Sequence, residues 1–269
     1  MRLSRLTTAF AITLLFTQCE SDVEVTEPST LEGTAVEQEV VARIAALGFD
    51  TRNYPVRKDG EYYTVEGDIN LPASYLDEVP LHDDGPRTEQ RHWVNILSCS
   101  EVPFITVFNN LPEESVARGA VNLAMEHWND ITKCNIFFVA TSDINSAEVI
   151  ISNGPLETSE GLRGVIVGRG TFPEGGRPGR YIRLDLDAFD YDYAQWRSTI
   201  EHELGHNIGF AHTNGSSANG EIFIPGTPGV DDESLMNGGR GGTVRSLTDG
   251  DMRAARRMYN LDFPERLCN

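Results

Sequence analysis

Three of the chain's six histidines stand within residues 202–212, in HELGHNIGFAH. A neutral imidazole nitrogen suits zinc, and a tetrahedral zinc shell needs several such donors aimed at one point. His202 and His206 are four apart, so on a helix both rings leave the same face and supply half of that shell. Glu203 is turned about 100° around the axis from His202, beside the ion, where a carboxylate reaches a zinc-bound water without becoming a ligand. If the helix continued, His212 would lie about 9 Å along the axis from His206 and about 240° around it, out of reach of a shared ion. The helix must therefore stop between them. Gly209 is where it can, because glycine enters the left-handed conformation without a Cβ penalty. That turn returns His212 as the third ligand and leaves the fourth position to water, which separates a catalytic zinc site from a closed structural one.

The chemistry such a site supports is metal-assisted amide hydrolysis. Zinc held by three imidazoles brings the pKa of its water toward about 7 and polarises a scissile carbonyl. Glu203 then takes the water's proton and later delivers it to the leaving amine. The remaining histidines, His82, His92 and His127, stand alone in polar surroundings and read as surface or packing residues.

Several elements must position these groups. AQWRSTIEHELGHNIG reads as a helix with Trp196, Ile200 and Leu204 on its apolar face. FITVF (104–108) reads as a strand, and LPEESVARGAVNLAMEHWNDI as a helix burying Val116, Ala120, Leu123, Ala124, Trp128 and Ile131. NIFFVAT, AEVIIS, GVIVG and YIRLDL are four further strands, the last two joined by GRGTFPEGGRPG, a turn or a substrate-side loop. Upstream, Thr34 and Glu37 have capping-box spacing before a helix carrying Val36, Val40, Val41, Ile44 and Leu47, which Gly48 stops. EYYTVEGDINL alternates as one strand. The polar stretch LDEVPLHDDGPRTEQR reads as an exposed linker with a boundary near Arg91, and Arg87 or Arg91 as cleavage points within it. Asp185, Asp187, Asp190 and Asp192 do not fit EF-hand spacing, so they read as a solvated edge and calcium has no support.

Composition narrows the partners. A formal charge of −19 over 269 residues repels nucleic acid and anionic membranes. Amide hydrolysis by the histidine site implies protein or peptide substrates, and a monomer is expected. The N-terminus, MRLSR followed by LTTAFAITLLF, has the charge and apolar length of a secretory signal and is too short for a permanent span. Cys19 follows at once and resembles the cysteine of a bacterial lipobox, although Phe16 and Gln18 depart from the usual residues. ESDVEVTEPSTLEG then reads as a flexible tether. The expected location is the cell envelope or surface as a lipoprotein, or the medium as a secreted protein. There, Cys99, Cys134 and Cys268 can form one disulfide and leave one thiol, with three pairings open.

The string HExxHxxGxxH resembles the signature of the metzincin zinc peptidases. In that clan a methionine turn lies beneath the zinc, and SLMNGG offers Met236 for it. SLTDGDMRAARRMYN resembles the clan's C-terminal helix, with Thr248 as N-cap. HELGH followed by GFAHT is most similar to the bacterial dual-action HEIGH metallopeptidases, with Leu204 in place of isoleucine. The resemblance implies an α+β fold, with a twisted, mostly parallel sheet, an antiparallel edge strand, two long helices, a methionine turn and a C-terminal helix. It implies one zinc ion and metalloendopeptidase activity. VEGDI (65–69) resembles the FxGD stretch of astacin propeptides, which implies that Asp68 ligates zinc in a latent zymogen. Thr213 departs from the astacin glutamate, and Gly238 stands where some metzincins place a tyrosine that helps hold the oxyanion. The expected organisation is a signal at 1–19, a tether at 20–33, a pro-region at 34–91 and a catalytic domain at 92–269. A surface-binding lipoprotein keeping zinc on this scaffold without turnover is the alternative, and the intact Glu203 argues against it.

Overall fold

In the computed structural model, which describes residues 34–46, 49, 51–52, 54–74, 76, 90–93, 95–156, 166–213, 221–228, 231–238, 243–262 and 266–268, the fold is α+β. Strand β1 (Thr34–Ala35) precedes helix α1 (Gln38–Ala46), and β1 pairs with an antiparallel meander of β2 (Arg57–Asp59), β3 (Tyr62–Val65) and β4 (Ile69–Pro72). β5 (Arg91–Trp93) pairs with β11 (Glu221–Phe223), apart from the main sheet. Between them come β6 (Ile105–Asn110), helix α2 (Val116–Asn129), β7 (Phe138–Thr141), β8 (Val149–Asn153), β9 (Gly168–Thr171), β10 (Tyr181–Leu184) and helix α3 (Tyr193–Asn207). Helix α4 (Asp249–Tyr259) follows β11.

β7, β6, β8 and β10 run parallel, and β9 is antiparallel to β10, which gives the mostly parallel sheet with its antiparallel strand. The sheet does not end there. β4 pairs parallel with β9 and carries the meander β3–β2–β1 outward, so the antiparallel strand is covered on its far side. β8 is buried at Val149, Ile150, Ile151 and Ser152, the continuous burial expected of a strand flanked on both faces.

Helix α2 starts where the Ser115 side chain accepts from the Arg118 backbone N–H. It buries Ala117, Ala120, Val121, Ala124, Met125 and Trp128, so the stripe lies one residue off the expected one at its start and Val116 stands outward. The small residues let α3 approach, and Trp128 Nε1 donates to Glu201 O at 2.9 Å. Helix α3 opens with a capping box between Asp192 and Gln195. Asp185 likewise shapes its own turn, accepting from the N–H of Asp187 and Ala188. Trp196, Ile200 and Leu204 of α3 enter the main core, together with Trp128 and Met258. In a second core, Ile44, Val65, Ile69 and Leu71 pack with Trp93, Phe172 and Ala211.

Four expectations are corrected. Thr34 lies in β1 and does not cap a helix, because its backbone pairs with Lys58. EYYTVEGDINL is two strands, since the chain reverses at Glu66 and Gly67, both at positive φ (51° and 93°). The first third of the glycine-rich connection, GRGT, is β9, and Ile166 and Val167 of the expected strand GVIVG precede it without strand pairing. Arg91 is buried in β5, where its carbonyl accepts from Ala211 N, so it is no exposed cleavage point. Of the histidines expected at the surface or in packing, His92 packs in β5, and His127 does not stand alone, its Nδ1 lying 3.0 Å from Glu201 Oε2. Cys99 and Cys268 form the disulfide and Cys134 is free. Cys19, Leu47, Gly48, His82 and Arg87 lie outside the described residues.

Candidate metal centre

Helix α3 ends at the expected place. Gly209 has φ +95° and its N–H bonds His206 O, while a Cβ there would stand 3.2 Å from Ile96. The returning segment is steered by β5, whose Trp93 N–H donates to Gly209 O and whose Arg91 O accepts from Ala211 N. Tyr259 of α4 donates its hydroxyl to Ile208 O at the same helix end. The chain so directed brings His212 Nε2 to 3.2 Å from His202 Nε2.

Each ring is fixed from behind. His202 Nδ1 faces Leu235 O at 2.7 Å, His206 Nδ1 faces Phe210 O at 2.8 Å, and His212 Nδ1 faces Glu66 Oε2 at 2.7 Å. In the neutral rings, as a metal ion requires them, donation from each Nδ1–H leaves the Nε2 lone pair directed inward. Asp68 joins them, its Oδ2 3.3 Å from His212 Nε2, and one ligand atom from each of Asp68, His202, His206 and His212 lies within 4.8 Å of the others. His206 Nε2 and Asp68 Oδ1 are buried without a hydrogen-bond partner among the described residues. Buried polar atoms are rarely left so, and a carboxylate with three imidazoles is a donor set that fits zinc. Burial, with the neighbouring rings, pushes His206 well below the ordinary histidine range and His202 to about 4. Burial also opposes a charged His212, but Asp68 and Glu66 outweigh it and hold that ring well above the ordinary value.

The Asp68 turn comes from the β3–β4 hairpin. Gly170 N donates to Asp68 O at 2.9 Å and Arg169 Nε to Gly67 O at 3.1 Å, tying the turn to β9. A glutamate in the left-handed region, as Glu66 is, costs about 1 kcal/mol or more. Glu203 is 3% exposed, and its carboxyl is pushed well above the usual range, by burial first and by Asp68 second. It lies against β9: a Cβ at Gly168 would stand 2.6 Å from Glu203 Oε1, and one at Gly170 2.9 Å from Glu203 O. This close approach is why glycines occupy a strand interior.

Met236 is fully buried against α3 at Gly205, and its carbonyl accepts from Thr213 N. Gly238 backs His212, where a Cβ would stand 2.6 Å from Nδ1, so the ring excludes a tyrosine from that position. Three positioning residues were not expected from sequence. Buried Asp251 accepts from Leu235 N, Ser234 Oγ and Gln90 Nε2, and so fixes the carbonyl that holds His202. Asn207 Nδ2 donates to Thr171 O and Gly179 O, joining the end of α3 to the segment after β9. Glu66 is the third. The sequence signal for Asp251 was its place at the third helical residue after Thr248; the others carry none, since their partners are distant in the chain.

The sequence profile of the dual-action HEIGH metallo-peptidases matches residues 63–259. Among solved structures, myroilysin is similar at 11% identity, covering 61% of this chain and 84% of that one with a TM-score of 0.42. The high choriolytic enzyme 1 of the medaka fish Oryzias latipes, a hatching enzyme zinc-protease, is similar at 16% identity, covering 60% and 92% with a TM-score of 0.37. No curated protein matches the sequence. With its profile match running from β3 to the last residue of α4, the chain belongs to the dual-action HEIGH metallopeptidases and is a zinc-dependent protease.

Proposed function

We propose that the chain is made as an exported, latent endopeptidase precursor, in which the expected pro-region of residues 34–91, its end drawn back to before Gln90 and β5, closes the zinc centre of the catalytic unit that follows to residue 269. The observation that carries this reading is the meeting of Asp68 with His202, His206 and His212, one ligand atom of each within 4.8 Å of the rest. The three imidazoles and the Asp68 carboxylate would together hold the ion, and Asp68 would keep substrate from it while the hairpin turn is in place. Gly209 ends the helix so that His212 can return, and Met236 forms the apolar floor. When bound, zinc supplies Lewis acidity, making water acidic near pH 7 and polarising a peptide carbonyl. Glu203 takes the proton from the attacking water and passes it to the departing amine nitrogen. Its burial against Gly168 and Gly170 supports that role, since a carboxylate held without bulk water keeps its proton transfers within the site.

Cleavage in the linker at Arg87 frees the centre. The charged and apolar start of the chain directs export, Cys19 carries the lipid, and residues 20–33 tether a monomeric enzyme. The test is Glu203→Ala in the purified, linker-cleaved protein. Zinc content by elemental analysis should match the parent, while casein hydrolysis should fall by roughly 10²–10⁴-fold, the usual contribution of a positioned acid–base group. Parent-like turnover removes Glu203 from this role, and parent hydrolysis that survives a zinc chelator removes the reaction itself.

A further inference from the structure

Two of the three imidazoles are held from behind by main-chain carbonyls close to the site, Leu235 O for His202 and Phe210 O for His206. The third is held by a side chain 146 residues away: Glu66 Oε2, 2.7 Å from His212 Nδ1, with both groups buried. Glu66 is one of two described non-glycine residues at positive φ, at 51°. Glycine would be relaxed there and glutamate is not, so the backbone does not explain the residue; the reach of its carboxylate does. The turn around it is braced, with Val65 and Ile69 fully buried on either side and Gly67 O held by Arg169 Nε. A Cβ at Gly67 would stand 2.6 Å from Ile166, so the turn fits closely against the segment entering β9.

We propose that Glu66 is the positioning residue for His212, so that the hairpin turn which plugs the zinc centre with Asp68 also assembles it for metal loading. The carboxylate accepts from His212 Nδ1–H, fixes the tautomer and ring angle, and aims Nε2 at the centre. The inference rests on the reading of His202, His206 and His212 as the zinc ligands. It follows that the precursor loads the ion with its third ligand already oriented, and that departure of the turn removes an acceptor as well as a plug.

The experiment measures zinc affinity of the full, uncleaved chain by competition with a chromogenic chelator, beside thermal melting of the metal-free protein. Glu66→Gly should weaken zinc by about 10–100-fold, the usual effect of losing a carboxylate behind a ligating histidine. The metal-free protein should still melt cooperatively and within a few degrees of the parent, because glycine's relief of the left-handed backbone offsets part of the lost buried hydrogen bond. Glu66→Gln should restore most of the affinity, its amide oxygen accepting the same N–H. The assignment is overturned if Glu66→Gly binds zinc as the parent does, or if Glu66→Gln is as weak as Glu66→Gly. His212→Ala separates the two readings. If it keeps the parent's affinity, the ligand set is wrong; if it loses zinc while Glu66→Gly does not, only the role of Glu66 falls.

Discussion

Met236 packs against the bare Cα of Gly205, which lies on α3 between His202 and His206; a Cβ added there would stand 2.5 Å from the methionine sulfur and 3.3 Å from Trp128. Helix and methionine turn therefore fix each other's position, and the turn's Leu235 O in turn holds His202. Gly205→Ala should push Met236 away and cost about 1–3 kcal/mol by overpacking, in spite of alanine's better helix propensity. The denaturant midpoint should fall with an unchanged slope, and zinc affinity should fall with it. Met236→Leu, which conserves volume, should cost less than about 1.5 kcal/mol. A Gly205→Ala protein as stable as the parent would show that the turn has room to yield.

The same logic applies on the other side of α3. A Cβ at Gly168 would stand 2.6 Å from Glu203 Oε1 and 2.9 Å from Thr199 Cγ2. Gly168→Ala should therefore turn the Glu203 carboxylate without touching any of the three histidines. In the linker-cleaved enzyme kcat should drop roughly 10²-fold, the lower end of what a positioned base contributes, while zinc content stays at the parent's value. An equal loss of zinc and activity would mean that the change disrupts the fold around α3 instead.

How far the sequence reaches follows from where each partner sits. The His202, His206 and Gly209 relationship is periodicity along one helix and one obligatory left-handed residue, so it can be read from eleven letters. Helices α2 and α3 were legible for the same reason, their buried residues repeating at helical spacing. β9 was not, because GRGT has poor strand propensity, and its glycines are required by the approach of Glu203 from another element. The β3–β4 hairpin read as one strand because the apolar alternation resumes after the turn and glutamate is not a residue that favours positive φ. Arg91 looked like the end of a polar linker; its strand forms because β11 on one side and the 209–211 segment on the other, both distant in the chain, bond to it. Asp68 could be singled out by resemblance, whereas Glu66, two residues earlier, depends on a contact with His212 that no local pattern announces.

The proposed latency gives the last measurable consequence. Asp68 is held at the centre by its own carbonyl, which accepts from Gly170 N, and by the neighbouring Gly67 O, which accepts from Arg169. The hydrogen bonds that seat the turn are therefore separate from the carboxylate proposed to plug the site. Asp68→Ala should leave the hairpin docked while removing the plug's fourth donor, so activity of the intact precursor should appear sooner. If the carboxylate contributes about 1.4 kcal/mol to the closed state, the lag before casein hydrolysis shortens roughly tenfold. Asp190→Ala, a change at an exposed acidic position, should leave the lag as it is. A lag unchanged in Asp68→Ala would mean that the turn blocks substrate by its backbone alone, through the pairing of β4 with β9, and that the carboxylate is not the switch.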